Sequence, residues 1–234
     1  MKTGKQLYEG KAKIIYATED PDLIIQYFKD DATAFNAAKK GTIAGKGVMN
    51  NKISTKIFEF LASQGIPTHF EKNLSDREML VKKVEIVPIE VIIRNKAAGS
   101  LCRLLGLKEG MSLASPVLEF CYKRDDLGDP LINESHIRAL KMAGDQDMET
   151  IKKYTLKINE LLTRFFANLG LELIDFKLEF GRYKGKIILA DEISPDTCRL
   201  WEIGTGKKLD KDRFRHDLGQ IEEAYQEVLS RVNK

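Results

Sequence analysis

Between Ile174 and Phe180 apolar and polar residues alternate with period two. Ile174, Phe176, Leu178 and Phe180 fall on one face of a strand, and Asp175, Lys177 and Glu179 on the other. A second run, Lys186–Ala190, is almost wholly apolar, as in a strand buried on both faces, and it ends in Asp191 and Glu192. The intervening Tyr183-Lys184-Gly185-Lys186 predicts a hairpin closed by a three-residue loop, with Gly185 in the left-handed region. An odd loop brings Lys177, Glu179 and Asp191 to one face, with Asp191 opposite either Lys177 or Glu179. Longer periods map the helices. Ile53, Ile57, Phe60 and Leu61 mark a helix over Lys46–Ser63, ended by Gly65. Ile151, Tyr154, Ile158, Leu161, Leu162, Phe165, Phe166 and Leu169 form one stripe over Met148–Leu169. Phe214, Leu218, Ile221, Tyr225, Val228 and Val232 predict a closing helix over Arg213–Val232. All three stripes read as core.

The first third is strand-rich, with Gln6–Tyr8, Lys13–Ala17 and Leu23–Lys29, then Met79–Val84 and Glu85–Arg94 separated by a short bend. The segment Gly99–His136 is mixed and loop-like. The pattern therefore predicts an α/β fold of the α+β type with two lobes: a strand-rich N-terminal lobe over residues 1–91 and a mixed lobe over residues 92–234. A cleft between them is the natural ligand site.

Composition narrows the class. At 234 residues, with 43% hydrophobic and 31% charged positions, the chain is a globular protein with an ample core. Apolar runs are too short for a transmembrane helix, and MKTGKQLYEGKAK lacks the apolar stretch of a secretory leader. A net charge of +3 with well-mixed signs argues against nucleic acid as a partner. Cys102, Cys121 and Cys198 are scattered without CxxC spacing, which predicts reduced, packed thiols and a cytoplasmic location.

Candidate chemistry concentrates at the end of the hairpin. Acids closing a buried strand are costly unless paired or bound to metal. Same-face neighbours lie roughly 5–8 Å apart, a span that one hard cation can bridge. A salt-bridge ladder through Lys177 is the alternative, and the buried look of the second strand favours the cation. Gly10 and Ala12 in Glu9–Lys13 let backbone amides approach an anion, with Lys11 and Lys13 adding charge; a solvated hairpin tip is the competing reading. In Leu80–Val84, Lys82 and Lys83 point to opposite faces, so one must turn inward to an anionic partner unless the strand bulges or both lysines snorkel from an edge. Ile92–Ser100 has the make-up of a phosphate pocket, with Arg94 leaving a strand and Ser100 capping the helix Leu101–Leu105; a capped helix beside a surface arginine is the blander alternative. Asp125–Pro130 reads as a surface turn, His136 as lying near a helix start, and His69 and His216 have no informative context. No Ser/His/Asp or Cys/His set is present.

Taken together, LYEGKAK, LVKKVEIVPIEVIIRNKAAGSL, DPLINESH, IDFKLEFGRYKG, LADEISPDTCRLW and DKDRFR closely resemble the phosphoribosylaminoimidazole-succinocarboxamide synthases, or SAICAR synthetases, over essentially the whole chain. The resemblance implies a two-lobed fold with kinase-like and ATP-grasp-like features. It also implies ATP, Mg2+, L-aspartate and carboxyaminoimidazole ribonucleotide (CAIR) as participants in purine biosynthesis, joined in an ATP-dependent amide ligation. By the same resemblance, Gly10, Lys11, Ala12 and Lys13 cover the nucleotide phosphates and Lys82 reaches them. Lys83, Val84, Glu85 and Ile86 offer backbone groups to adenine. Glu179 and Asp191 hold magnesium. Arg94, Ser100 and Arg199 grip the CAIR phosphate and sugar, and Lys177, Asp175, Glu90 and Asp129 surround the carboxylate and its metal. The rivals are a small-molecule kinase and a nucleotide-binding regulatory module. A homodimer is expected of a compact enzyme of this kind.

Overall fold

The computed structural model describes residues 4–34 and 39–234. In chain order, β1 (Gln6–Glu9), β2 (Lys13–Ala17), β3 (Leu23–Phe28), β4 (Asp31–Ala34) and β5 (Lys39–Thr42) precede helix α1 (Lys46–Ser63). Then come β6 (Phe70–Asn73), β7 (Glu78–Lys82), β8 (Glu85–Lys96), α2 (Ser100–Leu105), β9 (Ser112–Tyr122), β10 (Leu131–Ile132), α3 (Glu134–Ala139) and α4 (Asp145–Asn168). The chain continues through β11 (Leu171–Tyr183), β12 (Lys186–Ala190), β13 (Cys198–Glu202), α5 (Asp212–Arg215) and α6 (Ile221–Val232).

Two sheets organise these elements. The first runs β1-β2-β3-β7-β6, with β4 and β5 as a separate ribbon; the second runs β10-β9-β8-β11-β12, with β13 also on β11. Lys83 and Val84 alone separate β7 from β8, so the chain changes sheets there, and residue 91 lies inside β8. The sheets are stitched together away from this link. Thr68 bridges Leu189 in parallel register, and the His69 amide donates to the Leu189 carbonyl at 2.8 Å. One core cluster spans both: Phe28, Met79 and Val81 pack with Ile53, Ile57 and Phe58 of α1, Phe176, Leu178 and Phe180 of β11, and Tyr225 and Val228 of α6. Each such side chain contributes about 1.5–3 kcal/mol when fully buried.

Strand β11 carries the functional face because its far edge is shared. β12 pairs with Glu179–Tyr183 and β13 with Leu171–Phe176, leaving a break at Lys177-Leu178. The segment Asp191–Thr197 bulges out at that break, and the Lys177 amide donates to the Thr197 carbonyl at 2.9 Å.

Three local expectations are corrected. The hairpin loop has two residues, Lys184 and Gly185, both at positive φ, with Tyr183 paired to Lys186. This is the two-residue connection whose twist matches the strands. Its register pairs Glu179 with Ala190, so a regular strand would set Asp191 opposite Leu178, on the apolar face. Asp191 instead takes φ 64°, which ends the strand and frees its carboxylate from the pleat. Second, Ser100 does not cap α2. Gly99 occupies the N-cap without a side-chain bond, and Ser100 is the first helical residue. Third, the closing helix is broken: α5 stops at Arg215, and α6 starts at Ile221 after positive φ at Asp217, Gly219 and Gln220. Arg213 enforces the break by donating to the carbonyls of Lys208, Leu218 and Gly219 at 3.1, 3.0 and 2.6 Å.

Candidate functional site

Glu90 and Glu179 are direct partners across β8 and β11, so both carboxylates project to one face. The Lys177 ammonium, two residues along the same face, lies 3.0 Å from Glu90, 2.5 Å from Glu179 and 3.6 Å from Asp191. Lys123, just past β9, adds a second ammonium 2.9 Å from Glu179. Lys13, from β2 of the other sheet, reaches across to bond Asp191 and lies 3.0 Å from Glu192. Three lysines and four acids from both sheets thus converge at the break in β11.

Electrostatics favour the charged forms of Lys13, Lys123, Lys177 and Asp191. Burial opposes the charge on Lys177, but Glu179, Asp191 and Glu90 outweigh it and hold the ammonium pKa well above the usual lysine value. Lys13 is raised in the same way by Asp191 and Glu192 against its own burial. Burial pushes the Asp191 carboxyl up, and Lys13 and Lys177 pull it far below the ordinary range. The donor set fits a hard divalent cation, since Glu90, Glu179 and Asp191 are carboxylates with no thiolate or imidazole among them. Among the described residues no group of three or more His, Cys, Asp or Glu is disposed to hold a metal unaided. Magnesium does not need one: one or two carboxylates suffice when phosphate oxygens and water complete its shell.

A second constellation lies along the same strand. Arg94, Asp175 and Arg199 occupy one rung across β8, β11 and β13. Asp175 accepts from Arg94 at 2.6 Å and from Arg199 at 2.9 Å. Arg94 spends its other donors on Glu119 at 2.7 Å, the Ala98 carbonyl at 3.2 Å and the Ser100 hydroxyl at 2.7 Å. Only 2% exposed, Arg94 is therefore a strut that aims Ser100, while Ser100 remains half-buried at the surface of the pocket. Arg199 bonds Asp212 through Nε at 2.8 Å, and Arg215 bonds the same carboxylate at 2.6 Å. The guanidinium of Arg199 passes over Gly99, where a Cβ would meet its Nη2 at 2.6 Å; Gly99 also sits at φ 56°. Glycine is required there on both counts. Signs alternate along Glu119, Arg94, Asp175, Arg199, Asp212 and Arg215, and Arg199 and Arg215 are the more exposed of the three arginines.

Over the acid–lysine cluster stands the β1–β2 hairpin. Its tip, Gly10–Ala12, is closed by the Gly10 amide on the Lys13 carbonyl at 2.8 Å. Lys11 spans to Asp125, between β9 and β10 of the second sheet, at 2.6 Å. Beneath it opens a cleft of ≈ 680 Å³ lined by Gly10, Lys11, Lys29, Asp31, Thr33 and Asp125.

Lys82 donates to the Thr68 carbonyl at 3.1 Å and pairs with Glu71 at 3.1 Å, while Lys13 occupies the position beside the acids. Lys83 lies beyond β7 and is exposed, as are Glu85 and Ile86 at the start of β8, with Val84 half-buried between. Asp129 holds its own turn by accepting from the Arg124 amide at 2.9 Å. Asp175 belongs to the arginine rung and makes no hydrogen bond to Lys177. Glu192, marked with Asp191 at the strand end, joins the site, and so do Lys123, Asp212 and Arg215, whose sequence context carries no signal beyond nearby acids or bases. His69 joins too: it is 3% exposed, edge-on to Phe58 at 5.2 Å, and packed behind Asp191.

Lysines and carboxylates from two sheets, converging beside a small-residue hairpin, define a nucleotide-dependent class of site. The chain belongs to the SAICAR synthetase family, whose model matches residues 6–232. It is 60% identical over 234 residues to the phosphoribosylaminoimidazole-succinocarboxamide synthase of Caldanaerobacter subterraneus, covering the whole of both chains. The crystal structure of the same enzyme from Ehrlichia chaffeensis superposes with a TM-score of 0.96 at 49% identity, covering 98% of each chain. A SAICAR synthetase in complex with ADP follows at TM-score 0.93 and 46% identity, covering 96% of each chain.

Proposed function

We infer that this chain joins the carboxylate of CAIR to the amine of L-aspartate, using ATP and magnesium and releasing ADP and phosphate. The convergence of Lys13, Lys123 and Lys177 on Glu90, Glu179 and Asp191 carries this reading. A carboxylate is inert to an amine at neutral pH, so it must first be activated. The γ-phosphoryl group passes to a CAIR carboxylate oxygen with loss of ADP; the aspartate nitrogen then attacks the acyl carbon, and the C–O bond to phosphate breaks. Such a transfer needs positioning and charge neutralisation rather than a nucleophilic side chain.

The residues divide this work. Gly10–Lys13 cover the phosphates, and Lys13 and Lys177 supply positive charge where the phosphoryl group moves. The Lys83–Ile86 backbone takes the adenine. Glu179 and Asp191 hold magnesium, which when bound neutralises the phosphate oxygens. Ser100, aimed by Arg94, and Arg199 take the CAIR phosphate, with Lys177 and Glu90 nearest its carboxylate. The Lys11–Asp125 contact closes the cleft and keeps water from the activated carboxylate. A homodimer and a cytoplasmic location belong to the same reading. No helix among the described residues is long and apolar enough to cross a membrane.

The test is ADP release from ATP and magnesium, with CAIR and L-aspartate supplied separately and together. Release that requires both, with a succinocarboxamide product, supports the ligase. ADP release with CAIR alone indicates an activated carboxylate leaking to water. No release from folded, ATP-binding protein rejects the reading.

A further inference from the structure

Two adjacent acids meet Lys13 in different ways. The Asp191 side chain is 20% exposed, and it also faces Lys177. The Glu192 side chain is 4% exposed and lies 3.0 Å from the Lys13 ammonium. Its second oxygen accepts from the Ser194 hydroxyl at 2.7 Å. Ser194 is itself 1% exposed, and its oxygen accepts from the Asp196 amide at 3.2 Å. Glu192 is therefore committed on both oxygens and cannot swing into the cleft without breaking a buried hydrogen bond. Asp191 has no such anchor, and its carboxylate is shared between two ammoniums.

We propose that Glu192 is a positioning residue that acts through Lys13: locked by Ser194, it is the permanent counter-ion of that ammonium, and it thereby releases Asp191 to the metal. The proposal rests on Asp191 being a metal ligand. The side chain of Lys13 is only 12% exposed, so its charge must stay paired throughout the cycle. If Asp191 were its sole partner, a cation taking that carboxylate would strand a buried ammonium beside a like charge. With Glu192 fixed on the other side, Asp191 can exchange Lys13 for the cation while Lys13 keeps a carboxylate. The two consecutive acids thus have separate tasks, one exchangeable and one resident.

The test is calorimetric titration of ADP at a series of free Mg2+ concentrations, reading the Mg2+ level that half-saturates the gain in ADP affinity. Glu192→Gln is expected to raise that level about tenfold, because magnesium must then compete with Lys13 for Asp191. Ser194→Ala keeps both charges, loosens only the anchor, and is expected to shift it about threefold in the same direction. In a Lys13→Met background, where the ammonium that Glu192 pairs is gone, Glu192→Gln is expected to have no further effect. A shift that persists in that background makes Glu192 a metal ligand and overturns the proposal, as does an unchanged Mg2+ requirement in both Glu192→Gln and Ser194→Ala. Asp191→Asn separates the two levels of the argument. If it leaves the Mg2+ gain intact, the metal role of Asp191 falls and the proposal with it; if it removes the gain while Glu192→Gln and Ser194→Ala change nothing, only the proposal falls.

Discussion

Glu90 and Glu179 stand directly opposite each other on neighbouring strands, and the Lys177 ammonium, 3.0 and 2.5 Å away, holds the two like charges on one rung. Like charges directly opposite in a sheet are destabilising, so Lys177 is structural as well as electrostatic in its effect. Lys177→Met is expected to lose about 3 kcal/mol of stability by leaving Glu90 without its ion-pair partner opposite Glu179, and to reduce turnover to background. Urea denaturation beside a steady-state assay checks both. Unchanged stability would mean that Lys123 alone suffices to hold the acids.

Asp191→Asn should separate chemistry from folding. Asparagine tolerates the left-handed conformation that Asp191 adopts, and Lys13 and Lys177 each retain another carboxylate. Stability is expected to stay within about 1 kcal/mol of the parent. Turnover is expected to fall by about 100-fold or more, the scale of losing a group that stabilises transition-state charge. Full turnover at saturating magnesium would remove Asp191 from the metal site.

Gly181 controls the lobe junction. A Cβ there would lie 2.5 Å from Val84 Cγ2 and 3.2 Å from the Glu85 carbonyl oxygen. Gly181→Ala must push the link away from β11, at a cost of about 1–3 kcal/mol from overpacking. Because the same link is the proposed adenine strip, ADP affinity is expected to fall about tenfold, while the affinity for CAIR is retained. Equal losses for both ligands would point to a general disturbance instead.

His69 sets part of the acid sensitivity. Burial and the charge on Lys13 lower its pKa from 6.5 to about 3, so it is neutral when folded and protonates readily when unfolded. Between these values the unfolded state binds more protons, so stability present above pH 6.5 is lost as pH falls. One such group contributes about 1.4 kcal/mol per pH unit in that window. His69→Gln is therefore expected to flatten the fall in stability between pH 6.5 and 4.5 by about 2 kcal/mol. Urea midpoints at the two pH values, measured in chelator, decide it; parallel profiles for the two proteins would reject the assignment.

Much of the architecture was legible in one dimension. The α1 stripe gave the bounds Lys46–Ser63 as observed, and the α4 stripe fell within three residues at its start and one at its end, because a helix that must bury one face imprints its period on the chain. The closing helix failed because Arg213 caps carbonyls from within the apolar pattern, and a side chain's choice of acceptor leaves no periodic trace. The hairpin loop differs by one residue: Gly185 takes the expected positive φ, and Lys184 takes one as well, which closes a two-residue turn.

Within the site, the sequence by itself determined the ingredients. Period-two alternation put Lys177 and Glu179 on one face, and the apolar run ending in Asp191 and Glu192 marked acids that had to find partners. The tertiary structure decided which partners. Lys13 of one sheet meets those acids at the edge of the other. Asp175 serves two arginines rather than Lys177 because strand pairing sets Arg94 and Arg199 on its rung. Burial and periodicity act along the chain and can be read from it. Ion pairing acts across space, between residues as far apart as Lys13 and Asp191, and only the folded register brings them together.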